Sequence, residues 1–141
     1  MILLDTNVIS EAWKSAPDPR VLDWIDSQAL ETLYLSAVTV AELRYGIALM
    51  PVGRRRDILD QRLAHEVLPL FEGRILAFDL RASRAYADLM AKAREADRAI
   101  GMADGYIAAT ASVHQLTVAT RDAAPFSAAG ISIINPWQAL R

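Results

Sequence analysis

The chain has 141 residues, of which 53% are hydrophobic and 23% are charged. This length suits one domain with one sizeable core, and the composition excludes an intrinsically disordered chain. The sequence contains no cysteine, which excludes disulfides, thiolate catalysis and cysteine-ligated zinc or iron–sulfur sites. With 15 basic and 17 acidic residues the net charge is −2, so any nucleic acid would have to be recognised locally rather than by a generally basic surface.

The amino terminus shows no sign of a targeting segment. Its apolar run, Ile2-Leu3-Leu4, stops at Asp5 and lacks the basic start of a signal peptide. No stretch reaches the roughly 20 apolar residues that a membrane-spanning helix needs. We therefore expect a soluble, cytoplasmic protein that does not associate with membranes.

Five short apolar segments, separated by helical patterns, predict an alternating order of strands and helices. A strand over 2–4 runs into Asp5-Thr6-Asn7, three residues that favour helix starts, and Asp18-Pro19 starts the next helix. The remaining predicted strands cover 32–35, 74–78, 117–120 and 131–134, and the remaining predicted helices cover 36–49, 54–71, 80–99 and 102–114. This alternation predicts an α/β fold, a central parallel sheet of about five short strands flanked by helices on both faces, in a single domain over 1–141.

Four carboxylates occupy related positions in this predicted sheet. Asp5 closes the first strand and Asp122 lies just past the fourth. Glu42 lies in the first turns of the helix after the second strand, and Asp104 in the first turn of the helix before the fourth. Because ligands bind outside the carboxyl ends of parallel strands, we expect all four to face one crevice.

Four carboxylates in one pocket raise each other's pKa unless protons, basic side chains or cations neutralise them. A ligand set of oxygens alone suits Mg²⁺ or Mn²⁺. At such a site one or two divalent ions, about 3.5–4 Å apart if there are two, activate water and stabilise the attacking and leaving oxygens of a phosphodiester. Thr6, Asn7 and Thr120 lie next to these acids, and we expect them to orient the carboxylates or metal-bound waters.

Each acid also has a purely structural interpretation. Thr39-Val40-Ala41-Glu42 matches a capping box, in which Glu42 would only accept from a backbone N–H group. Asp5 could be an ordinary N-cap, Asp104 a favourable charge at a helix start, and Asp122 a turn residue. The combination of four acids at one sheet edge, rather than any single residue, favours a functional site.

The other chemically notable residues give weaker indications. His65 and His114 lack the spacing of a metal motif. The run Arg54-Arg55-Arg56 is typical of a solvated helix start, with RNA contact as the alternative. For four larger side chains near the amino-terminal helices, core packing is favoured over a partner surface. These are Trp13, Trp24, Tyr45 and Met50.

Four sequence blocks, in order along nearly the whole chain, resemble the signature blocks of PIN domains. They are Leu4-Asp5-Thr6-Asn7, Val40-Ala41-Glu42-Leu43, Ala103-Asp104-Gly105-Tyr106-Ile107-Ala108-Ala109-Thr110-Ala111 and Ala119-Thr120-Arg121-Asp122. In this respect the chain is similar to the VapC and FitB-type toxins of bacterial type II toxin–antitoxin pairs. The one difference is Arg121, where the family commonly has a small or polar residue.

The resemblance implies a Mg²⁺- or Mn²⁺-dependent endoribonuclease that hydrolyses RNA. Asp5 and Asp104 would be the principal metal ligands, and Glu42 and Asp122 would complete the catalytic site directly or through water. The resemblance also implies a homodimer and a small antitoxin protein, one of whose basic side chains would enter the acidic pocket. A larger assembly of the pair would bind promoter DNA.

Two other classes of protein remain as alternatives. A phosphatase with a nucleophilic Asp usually has a second Asp two residues on, where this chain has Asn7, and needs a suitably placed lysine, for which only Lys14 and Lys92 exist. The second is a catalytically silent PIN-like or receiver-like module that binds metal and a partner. Metal-dependent RNA cleavage separates both from the endoribonuclease.

Overall fold

Short runs of apolar residues form a five-stranded parallel sheet in the computed structural model, which describes residues 1–138. The strands are β1 (Ile2–Leu4), β2 (Leu33–Ser36), β3 (Ile75–Leu76), β4 (Thr117–Ala119) and β5 (Ile133–Ile134). Their order across the sheet is β3-β2-β1-β4-β5. The first strand is therefore central, and Leu3 lies opposite Tyr34 of β2 and Val118 of β4.

Helices connect the strands, and side-chain caps fix several of their starts. The helices are α1 (Thr6–Ala12), α2 (Pro19–Asp26), α3 (Ala37–Ala48), α4 (Arg54–Arg62), α5 (Leu80–Glu95), α6 (Met102–His114) and α7 (Ala123–Ala128). Asp18 accepts a hydrogen bond from the backbone N–H of Arg20, and Asp79 accepts one from that of Ala82. Both residues are thus N-caps, and the sequence predicts the one at Asp18.

Both faces of the sheet are buried. Successive side chains of a strand point to opposite faces, and neighbouring residues of β1 pack into different hydrophobic clusters. Leu4 belongs to a hydrophobic cluster with Val8, Leu35 and Leu43, whereas Leu3 belongs to a second cluster with Ile107. The predicted α/β fold, a parallel sheet with helices on both faces, is confirmed.

Gly105 lets α6 approach α5 closely. A Cβ atom at this position would lie 2.8 Å from Sδ of Met90 and 2.9 Å from Cε1 of Tyr86, closer than real side chains come. Gly105 follows Asp104 directly, in the first turn and a half of α6.

Several predicted boundaries were wrong. The helix predicted over 54–71 ends at Arg62 and continues as a π-helical turn (Leu63–Val67) and a 3-10 turn (Leu68–Phe71). Pro69 has no N–H group to continue the α-helical bonding. The helix predicted to residue 99 ends at Glu95, after which Asp97 adopts a left-handed conformation with φ of 60°. The helix α7 was not predicted, because its six residues are too few to show a period.

The interpretation of the large side chains as core residues is confirmed for three of four. Trp13, Trp24 and Met50 pack against the hydrophobic cluster that contains Leu4. Tyr45 is 66% exposed on α3. Within residues 1–138, no helix has both the length and the hydropathy that crossing a membrane requires.

Candidate active site

The carboxyl ends of β1 and β4 carry two of the predicted acids, and two helices supply the others. Asp5 follows β1 and is the N-cap of α1, and Asp122 lies in the loop between β4 and α7. Glu42 lies on α3 and Asp104 in the first turn of α6. The structure thus brings the four acids to one edge of the sheet.

Electrostatic interactions connect the four carboxylates. The charges of Asp104 and Glu42 both raise the pKa of Asp5, although less than burial does. Burial also raises the pKa of Asp104, and the charges of Asp122 and Glu42 raise it further. All four acids therefore lie within one region of negative potential.

Asp5 is the most buried of the four, with 5% of its surface exposed. Burial raises its pKa to about 6, against two hydrogen bonds that lower it. The hydroxyl of Thr120 donates to Oδ2 at 2.8 Å, and the backbone N–H of Thr6 donates to Oδ1 at 2.8 Å. Without a cation, this carboxyl group is therefore partly protonated near neutral pH.

Thr120 ties the ends of β1 and β4 together. Besides donating to Asp5, its hydroxyl oxygen accepts from the backbone N–H of Asp122 at 3.0 Å and from the side-chain amide of Asn7 at 3.2 Å. The side-chain oxygen of Asn7 accepts from the backbone N–H of Arg121 at 3.3 Å. These bonds hold the loop that carries Asp122 against the carboxyl end of β1.

Glu42 is not part of a capping box, and that structural interpretation of it was wrong. The N-cap of α3 is Ser36, whose hydroxyl accepts from the backbone N–H of Thr39 at 2.9 Å. The helix therefore begins before Thr39, and Glu42 lies beyond its first turn. Its Oε1 instead accepts from the hydroxyl of Thr6 at 2.6 Å, which directs the carboxylate towards β1.

The donor set fits a hard divalent cation. The ion pairs among residues 1–138 join Lys14 to Glu11, Arg20 to Asp18 and Arg62 to Glu66, so no basic side chain of this part of the chain neutralises the four acids. Nor do three His, Asp or Glu side chains of residues 1–138 form a ready-made ligand cluster. Mg²⁺ does not need one, because it keeps several waters and is commonly held through one or two carboxylates.

Comparison with known proteins identifies the family to which this chain belongs. A family model of the PIN domain matches residues 2–131. The chain belongs to the PIN-domain family. This PIN domain is 65% identical to the VapC ribonuclease Y4jK of Sinorhizobium fredii, over 98% of this chain and 99% of that protein. It is 53% identical to toxin FitB of Neisseria gonorrhoeae, over 97% of this chain and 99% of that protein.

A solved structure shows the same fold. The structure of FitAB bound to an IR36 DNA fragment contains a chain that is 50% identical to this PIN domain and superposes with a TM-score of 0.96. The match covers 100% of this chain and 99% of that one. The chain is therefore similar to this FitAB chain in both sequence and fold.

Sequence reasoning missed two polar residues beside the site of this PIN domain. Ser36 and Thr39 are both fully buried, and the Ser36 hydroxyl donates to that of Thr39 at 3.2 Å. The Thr6 hydroxyl in turn lies 3.4 Å from that of Thr39. The available signal was the spacing of Ser36 and Thr39 at the end of an apolar strand, which is typical of an N-cap and its N3 partner.

Proposed function

We propose that this PIN domain is a metal-dependent endoribonuclease and the toxin of a toxin–antitoxin pair, acting as one domain over 1–141. The observation that carries the proposal is the cluster of acids around buried Asp5, whose negative charge no ion pair among residues 1–138 balances. Such a pocket attracts divalent cations in place of protons. The similarity to a VapC ribonuclease and to toxin FitB supports RNA as the substrate.

In this proposal Asp5 and Asp104 are the principal ligands of Mg²⁺ or Mn²⁺, and Glu42 and Asp122 complete the site directly or through water. A bound cation of this kind lowers the pKa of a water molecule and neutralises charge on the scissile phosphodiester. Hydrogen bonds from neighbouring residues hold the carboxylate of Asp5 in place. Thr120 and the N–H of Thr6 each occupy one oxygen of Asp5, which fixes the carboxylate plane.

Neighbouring polar side chains position the other acids. The Thr6 hydroxyl binds one oxygen of Glu42 and leaves the second free for a ligand. Asn7 and Thr120 fix the backbone N–H groups of Arg121 and Asp122 and so place the Asp122 side chain. We assign these three polar residues, Thr6, Asn7 and Thr120, to orientation of the acids rather than to direct contact with the cation.

The proposed partners are an antitoxin and a second copy of the chain. FitAB, with a chain 50% identical to this one, has been solved bound to a DNA fragment, which supports a partner protein and a DNA-bound assembly for this chain as well. A basic side chain of an antitoxin, entering the acidic pocket, would replace the cation electrostatically and inhibit cleavage. We propose that the toxin itself is a homodimer.

The experiment that tests the activity is incubation of total cellular RNA with the purified, antitoxin-free protein. Reactions contain Mg²⁺, Mn²⁺ or EDTA, and run beside Asp5→Asn, Asp104→Asn and Asp88→Asn. Asp88 is an exposed acid on α5 that lies outside the cluster. We expect discrete fragments that require metal, Asp5 and Asp104 and that the Asp88 variant still produces.

Other results would lead to other conclusions. Cleavage that persists in EDTA, or in folded Asp104→Asn protein, would contradict the proposed site. Absence of cleavage by folded protein with every metal would favour the catalytically silent module. Hydrolysis of small phosphomonoesters in place of RNA would favour a phosphatase.

A further inference from the structure

The side chain of Arg121, the residue that precedes Asp122, is held in a defined position. Its guanidinium carbon lies 5.2 Å from the centroid of the Trp137 ring, within the range of a cation–π interaction. Trp137 is only 5% exposed, and its backbone N–H donates to the side chain of Asn135 at 2.9 Å. A fixed aromatic surface therefore supports an exposed arginine directly between Thr120 and Asp122.

The charge of Arg121 is not taken up by an ion pair with another of residues 1–138. The charge of Arg121 acts on Asp18, whose pKa is lowered to about 2, mainly by hydrogen bonds from Arg20 and least by Arg121. Asp18 already pairs with Arg20 at 2.7 Å. The ion pairs within residues 1–138 do not include Arg121.

We propose that Arg121 binds a backbone phosphate of the RNA next to the one that is cleaved, a role that rests on the proposed function. The four acids repel a polyanion, and the chain as a whole carries a net charge of −2, so the substrate needs a local cation beside the cluster. Arg121 is adjacent in sequence to Asp122, and its backbone is hydrogen-bonded to Asn7.

The contact with Trp137 is compatible with this role. The guanidinium carbon lies 5.2 Å from the ring centroid, and phosphate oxygens bind to the N–H groups of a guanidinium rather than to its carbon. Arg121 can therefore keep its contact with Trp137 while it binds a phosphate with two parallel hydrogen bonds. Because the stack already restricts the side chain, less conformational entropy is lost on binding than for a freely moving arginine.

The test measures RNA binding without cleavage. A single-stranded oligoribonucleotide is titrated against Asp5→Asn protein by fluorescence anisotropy over a range of salt concentrations, with and without Arg121→Gln. The control is Arg84→Gln, because Arg84 is an exposed arginine on α5 beside Val113, at the end of α6 opposite to Asp104. Arg121→Lys keeps the charge and loses the bidentate contact.

We expect Arg121→Gln to raise the Kd about threefold to tenfold and to reduce the slope of log Kd against log salt by about 0.7, the value for one lost phosphate contact on a single strand. Arg121→Lys should restore the slope but only part of the affinity, and Arg84→Gln should change neither. In the Asp5-containing protein, Arg121→Gln should raise KM for RNA with little change in kcat.

An unchanged salt slope for Arg121→Gln would overturn the inference, even if the substitution lowered thermal stability, because a purely structural stack on Trp137 would affect only stability. RNA cleavage by the wild-type protein with that result would leave the proposed function intact. Arg121-dependent RNA binding by Asp5→Asn protein, without cleavage by the wild type, would support the inference and contradict the nuclease. Absence of both RNA binding by Asp5→Asn protein and cleavage by the wild type would contradict both.

Discussion

Replacing Asp5 with Asn should stabilise the metal-free protein as the pH rises. Burial raises the pKa of this carboxyl group in the folded protein from its ordinary value of 3.8 to about 6. Below pH 3.8 the group is protonated in both the folded and the unfolded chain and costs nothing. As the pH rises towards 6 the unfolded chain ionises first, so the wild-type protein loses stability relative to Asp5→Asn until the folded state has also ionised.

The size of this effect follows from the pKa values. A pKa raised from 3.8 to about 6 corresponds to about 3 kcal/mol of free energy of unfolding. For a chain of this length, that is roughly 10 °C in melting temperature. The amide also alters the hydrogen bond with Thr120, at a cost of about 1 kcal/mol. That cost is the same at every pH. It therefore shifts the difference in free energy of unfolding between the two proteins by a constant and leaves the pH dependence of this difference unchanged.

The assay is urea unfolding of both proteins in EDTA between pH 4 and pH 8. We expect the free energy of unfolding of Asp5→Asn minus that of wild type to increase by about 2.5 kcal/mol across this range, because a small part of the full effect is already present at pH 4. Most of the increase should occur below pH 6. The exposed-acid control, Asp88→Asn, should give a nearly constant difference. If the difference in free energy of unfolding between Asp5→Asn and wild type were also constant, or decreased with pH, the assignment of Asp5 as a carboxyl group that is costly to ionise in the metal-free protein would be refuted.

Three further substitutions test the supporting structure. Gly105→Ala should cost about 1–3 kcal/mol of stability, because its Cβ would lie 2.8 Å from Sδ of Met90. Thermal unfolding measures this loss, and adding Met90→Ala to the Gly105→Ala protein should recover part of it. Thr120→Val removes a hydrogen bond that lowers the pKa of Asp5, so the pH at which the metal-free protein loses stability in urea unfolding should move upwards. An unmoved pH profile would contradict this role. Ser36→Ala removes the side-chain N-cap of α3 and should cost about 1 kcal/mol in urea unfolding, whereas no loss would mean that the cap contributes nothing.

The positions of Asp5 and Asp122 were predictable because both follow strands of a parallel sheet. Alternation of strands and helices in the sequence implies such a sheet, and the carboxyl ends of its strands lie at one edge. The position of Asp104 was predictable because this residue lies in the first turn of the apolar helix that leads directly into β4. These inferences depend only on chain order, which the sequence contains.

The details that failed depend on contacts between distant segments. The start of α3 is set by Ser36 at the end of β2, so the apparent capping box at Glu42 does not form. The stack of Arg121 on Trp137 depends on the pairing of β4 with β5, in which the N–H of Thr120 donates to the carbonyl of Ile134 at 3.0 Å. Local sequence pattern contains no information about such pairs.

The most direct test of the central claim, that the acid cluster holds the divalent cation, is calorimetric titration of Mn²⁺ into the metal-free protein. Titrations at pH 6 and pH 8, in buffers with different ionisation enthalpies, give both affinity and proton release. We predict saturable binding that releases about half a proton or more at pH 6, because the pKa of Asp5 is about 6, and little at pH 8. Asp104→Asn should bind at least about tenfold more weakly. Absence of saturable binding, or equal affinity and proton release in Asp104→Asn, would contradict the claim.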